Sequence, residues 1–195
     1  MTLRVVREAA HGDPTVLAWH VEPRVLLDCI PPTWGLQTDC GGAYATLDLA
    51  PVRAAGDVVL VGWSAGCQAV RGALLAGVRP LAVLALDGTS ASMPPARWQL
   101  QTWRDAISAG RAGEMCCVLT ATQQTYVEAL PIGQRYASTV RIVSDAWGAV
   151  GMLPAGAYSD RGATVEVHAS ATIDAAAHVR EQREHGPRLM RDVIV

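Results

Sequence analysis

The chain has no phenylalanine, no lysine and no asparagine. All 16 basic residues are therefore arginine, and 6 tryptophans supply most of the aromatic bulk. The three missing amino acids share A/T-rich codons, so their absence reflects a GC-rich gene rather than a functional demand for arginine. Charge is sparse at 17%, the net charge is -2, and no basic run exceeds a pair, which argues against a nucleic-acid partner. No Cys-x-x-Cys occurs among Cys29, Cys40, Cys67, Cys116 and Cys117. Adjacent Cys116 and Cys117, in a strand-like run, point to opposite faces, so neither a metal site nor a disulfide framework is expected. No uninterrupted apolar segment reaches about 18 residues, because Arg71 and Arg79 break the longest candidate. Met1 to Ala10 carries Arg4, Arg7 and Glu8 and lacks the apolar core of a signal peptide. The expectation is a cytoplasmic protein with reduced thiols and no transmembrane segment.

What is present is apolar and periodic. The 195 residues, half of them hydrophobic, suffice for one domain with a sizeable core, spanning 1–195. Leu3–Val6, Thr15–Val21 and Arg24–Ile30 read as strands, the third ended by Pro31-Pro32, and Gln37–Pro51 reads as loop with at most a helical turn. Val58–Val61 is an apolar strand, Ala65–Ala76 a helix stopped by Gly77, and Leu81–Leu86 a strand apolar on both faces. Ala96–Ala109 is a helix with Leu100, Trp103 and Ile107 at helical spacing, and Met115–Ala121 is a further strand. Tyr136–Val143 leans to helix, Gly151–Gly162 is a Pro/Gly-rich loop, and Thr164–Val167 is a short last strand. Asp174–Met190 is an amphipathic helix with Asp174 as N-cap. Strands alternating with helices predict an α/β fold: a three-layer sandwich with a mostly parallel central sheet and helices on both faces. No internal repeat or dividing linker is visible.

One stretch organises this pattern: Val58-Val59-Leu60-Val61-Gly62-Trp63-Ser64-Ala65-Gly66-Cys67. A strand, a Gly-x-Ser-x-Gly turn and a run of small helix-compatible residues make the order a nucleophile elbow requires. Gly62 and Gly66 remove the side chains that would keep strand and helix apart. The helix that follows directs its first N–H groups at charge developing near Ser64. In this motif the chain resembles the α/β-hydrolase superfamily, at about the size of its cutinase-like members. The resemblance extends over the architecture from about Arg24 onward.

The resemblance implies a serine, an acid and a histidine in that chain order. Ser64 is then the nucleophile. Asp87, ending the strand after the elbow, is the acid, with Asp145 and Asp174 as alternatives. The more usual acid position, one strand later, holds Thr120-Ala121-Thr122-Gln123-Gln124 and no carboxylate. His178, in the first turn of the last helix, is the base, and His168, at the end of the last strand, is its rival. The oxyanion hole is expected from the Ala65 N–H and from Thr33 or Trp34. Trp63, Trp34 and Met93, with Trp98, are candidates for an apolar substrate rim. The implied reaction is hydrolysis of a small-molecule or lipid-like carboxylic ester through an acyl-enzyme, with no cofactor. An amide or thioester would use the same triad, and a catalytically inert hydrolase-like scaffold for binding or assembly is the non-enzymatic alternative.

Overall fold

The computed structural model describes residues 12–40, 49–88, 97–122, 154–168 and 175–194. Leu3–Val6, Met93, Tyr136–Val143, Asp145 and Asp174 lie outside these residues, as does the side chain of Trp98. The described strands are β1 (Thr15–Trp19), β2 (Gly35–Thr38), β3 (Val58–Trp63), β4 (Ala82–Leu86), β5 (Cys116–Thr122), β6 (Gly156–Asp160) and β7 (Ala163–His168). The helices are α1 (Pro23–Leu27), α2 (Ala50–Ala54), α3 (Gly66–Leu75), α4 (Arg97–Ala112), α5 (Ala175–Arg180) and α6 (Gly186–Val193), with a π-helical turn, Glu181–His185, joining the last two.

The strands form one seven-stranded sheet in the order β2-β1-β3-β4-β5-β7-β6. Every pairing is parallel except β6 with β7. The central strands read as continuous apolar runs because both of their faces are covered. Leu17, Leu60, Val83, Cys117 and Leu119 pack with Val70 and Ala73 of α3 and with Trp103 and Ile107 of α4. Val16, Val59, Val61, Leu84, Cys116 and Val118 pack with Leu26 of α1 and with Leu189, Met190 and Val193 of α6. Cys116 and Cys117 thus face opposite sides, as strand alternation requires. No described helix is long and apolar enough to cross a membrane.

Two segments differ from the sequence reading. Arg24–Ile30 is not a strand. Pro23 occupies the first turn of helix α1, where its fixed φ suits a helix and its missing N–H costs nothing. The apolar run then divides as on a helix, with Leu26 buried and Leu27 58% exposed. The strand in this region is β2, an edge strand whose side chains alternate between exposed and half-buried. The second difference is β6, inside the Gly151–Gly162 stretch read as loop. A two-residue connection, Arg161-Gly162, returns the chain onto β7, with Asp160 opposite Ala163. Arg161 takes a positive φ of 53° in that turn.

The order of the strands reverses between β1 and β3: β2 lies to one side of β1 and β3 to the other. Such a switch point opens a crevice at the carboxyl ends of parallel strands. Ser64 follows β3 at that edge.

Candidate active site

Ser64 has a φ of 53°. This left-handed conformation costs about 1–3 kcal/mol at a non-glycine residue and persists only where its surroundings enforce it. The Ser64 N–H donates to the Leu86 carbonyl at 2.9 Å, which holds the turn against the end of β4. The two motif glycines are sterically required. A Cβ on Gly62 would stand 2.8 Å from the backbone of Gly66 and Cys67, and one on Gly66 would stand 2.1 Å from the Trp19 carbonyl oxygen. Helix α3 begins at Gly66, and the Ala65 N–H that precedes it has no hydrogen-bond partner among the described residues.

Asp87 ends β4 at the same edge, with a φ of 46° and 1% exposure. Its N–H is shared between the carbonyl and the hydroxyl of Thr120, at 3.2 and 3.1 Å. Its carboxylate accepts the Thr122 N–H at 3.0 Å and the Thr122 hydroxyl at 3.1 Å. The position without a carboxylate on β5 therefore holds the threonines that orient Asp87. A Thr-x-Thr pair at the end of the neighbouring strand was the available signal for this.

His178 lies on α5, and its Nδ1 stands 2.6 Å from Asp87 Oδ2. The Trp63 indole N–H donates to the His178 carbonyl at 2.8 Å, and the two rings lie 4.7 Å apart at 32°. Trp63, expected in an apolar rim, thus braces the histidine. With Nδ1–H directed at a carboxylate, the imidazole is held in the tautomer that leaves Nε2 as an acceptor. Nε2 has no partner among the described residues, and Ser64 is not hydrogen-bonded to His178.

His168 is apart from this constellation. Its Nδ1 lies 2.8 Å from Glu181 Oε1, its Nε2 lies 2.9 Å from Glu166 Oε2, and its ring stacks on His185 at 3.8 Å. Arg188 holds both oxygens of Glu166. Partial burial opposes charge on His168, but the hydrogen bonds to Glu166 and Glu181 outweigh it and raise the pKa to about 9. Burial likewise works against the Glu166 carboxylate, yet His168 and Arg188 bring its pKa down to about 2. Burial and then the charge on His168 lower that of His185. Glu166, His168 and His185 are the described residues with metal-ligand atoms close together, within 4.8 Å of one another.

Thr33 and Trp34 do not reach Ser64. Both precede β2, whose first residue, Gly35, is level with Thr15 and through it with Val58. They therefore sit at the strand-start edge, opposite the elbow, with Thr33 exposed and Trp34 buried in the core. The expectation followed from reading Arg24–Ile30 as the strand beside the elbow. The strand paired with β3 on that side is β1, and its last residue, Trp19, is the one that Gly66 faces. A cavity of about 340 Å³ lined by Leu75, Val78, Ala106 and Met115 also lies away from the elbow, beyond the C-terminal end of α3. Comparison of the chain with protein-family models, curated proteins and solved structures finds no match.

Proposed function

We propose that the protein is a serine hydrolase of the α/β-hydrolase type, a three-layer sandwich that cleaves carboxylic esters through an acyl-enzyme. The observation that carries this reading is the 2.6 Å contact between His178 Nδ1 and the buried carboxylate of Asp87, at the sheet edge where Ser64 occupies a strained turn. A serine hydroxyl needs a neighbouring base, and the base needs a group to fix its tautomer. Ser64 Oγ attacks the ester carbonyl as His178 Nε2 takes its proton. The Ala65 N–H stabilises the oxyanion, an interaction worth about 3 kcal/mol. His178 then returns the proton to the departing alcohol, and water releases the acid by the same steps. All five cysteines are unpaired and buried.

A second reading, an inert scaffold of the same fold, draws on one observation: Ser64 and His178 are not hydrogen-bonded to each other. Catalytic hydrogen bonds are often long before substrate binds, so this contact discriminates poorly. Turnover discriminates well. Wild type should hydrolyse short p-nitrophenyl esters and Ser64→Ala should not. Equal turnover by both folded proteins would remove Ser64 from the chemistry.

A further inference from the structure

Glu181 lies one helical turn after His178 and is 1% exposed. A buried carboxylate needs a partner, and this one has the Nδ1 of His168 at 2.8 Å, across from the end of β7. The opposite ring nitrogen of His168 faces Glu166, itself held by Arg188. Ionised carboxylates only accept hydrogen bonds, so a ring flanked by two of them donates from both nitrogens. His168 is then an imidazolium bridging a strand and a helix. The π-helical turn Glu181–His185 places its two ends on this bridge, Glu181 at Nδ1 and His185 stacked on the ring. Such turns frequently mark functional sites in otherwise α-helical segments. Gln182, in the same turn, accepts the Glu22 N–H at 3.1 Å and ties the turn to the segment after β1.

We propose that His168 is a positioning residue: as a cation shared by Glu166 and Glu181, it fixes to the sheet the helical turn that carries His178. This rests on the serine-hydrolase reading for its effect on activity, but not for its structural content. The groups facing His168 are Glu166, Glu181, His185 and Arg188, with Asp192 beyond Arg188 at 3.5 Å. Glu22 and Arg183 pair with each other on the neighbouring surface. The balance is two carboxylates against His168 and Arg188, and deprotonating His168 leaves Glu181 without a cationic partner. A metal ion on Glu166, His168 and His185 would have to displace the Nε2 proton and compete with Arg188. The protonated bridge and a bound metal are therefore mutually exclusive.

The test uses the full chain labelled with 15N-histidine. In wild type, the ring nitrogens of His168 should both carry protons at neutral pH and lose one only near pH 9. The Nδ1 proton of His178, bonded to Asp87, should weaken over the same interval. If Ser64 reacts with a fluorophosphonate, the labelling rate of wild type should decline as pH rises through 9; in His168→Gln the rate at pH 7.5 should be about tenfold lower and that decline should be absent. Glu166→Gln, a milder change, should move the decline to lower pH and serves if His168→Gln does not fold. Wild type that is never labelled would sink the hydrolase reading, while the spectra would still test the bridge. Titration of His168 near 6.5, or an unchanged His178 signal in folded His168→Gln, would overturn the bridge. So would zinc chloride binding that abolishes the His168 ring protons at neutral pH.

Discussion

A methyl group on Gly88 would stand 1.9 Å from the carbonyl oxygen of Ser64. The chain leaving β4 therefore passes the elbow at backbone contact, immediately after Asp87. The turn at Ser64 and the strand end at Asp87 share one tight junction.

That junction predicts an order of severity. Gly88→Ala and Gly66→Ala each drive Cβ into a backbone carbonyl and should cost about 3 kcal/mol or more, since neither contact relaxes without moving a strand end. Gly62→Ala, whose nearest contact is 2.8 Å, should cost less. Urea denaturation of the three variants would rank them. A Gly88→Ala protein as stable as wild type would contradict the geometry.

Asp87→Asn keeps the size of the side chain while removing its charge, and it lets an amide face His178 Nδ1. The tautomer then reverses and Nε2 carries the proton. Ester turnover should fall about 10⁴-fold. Circular dichroism and the urea midpoint will separate this from loss of fold. Thr122→Val removes only the hydroxyl donor to Asp87 and should lower turnover far less, by about tenfold.

Stability should depend on pH at both extremes. The pKa of His168 is raised to about 9 in the folded state, so its contribution is complete below about 6.5 and is lost as pH rises through 9. Glu166 is shifted the other way, to about 2. Its contribution is present above about 4.5 and disappears as pH falls through 2. With allowance for solvent at this half-buried cluster, each should be worth about 2 kcal/mol. Urea midpoints measured from pH 6 to 9.5 should decline in wild type and stay flatter in His168→Gln.

The thiols should be silent in the native protein. All five cysteines are buried, and burial raises the pKa of Cys29 to about 11 and of Cys116 to about 12, with Cys67 and Cys117 raised as well. Reaction with a thiol-specific disulfide reagent at pH 8 should follow global unfolding. A stoichiometric burst from folded protein would contradict the burial.

The parts legible in the sequence were those set by local chemistry. Val58–Val61 is continuously β-branched or aliphatic, and the Gly-x-Ser-x-Gly turn follows from steric need, so the elbow and its flanking elements are recognisable within a residue or two. Asp87, at a strand end, and His178, in the first turn of the last helix, were expected from the resemblance rather than from local chemistry, and the structure brings them to 2.6 Å. What the sequence concealed depended on pairing. Arg24–Ile30 carries β-type residues, yet Pro23 and a one-sided burial make it a helix, and the error moved Thr33 and Trp34 to the wrong edge. β6 is a strand only because β7 lies beside it. The Glu166–His168–Glu181 bridge joins a strand to a π-helical turn, and no spacing rule connects them.

The proposed hydrolase chemistry stands on Ser64 being an activated nucleophile. Intact mass after incubation with a fluorophosphonate tests it most directly, with wild type, Ser64→Ala and Asp87→Asn run side by side. A single adduct is expected on wild type, none on Ser64→Ala, and labelling of Asp87→Asn slowed by orders of magnitude. No adduct on folded wild type, or one that persists in Ser64→Ala, would contradict it.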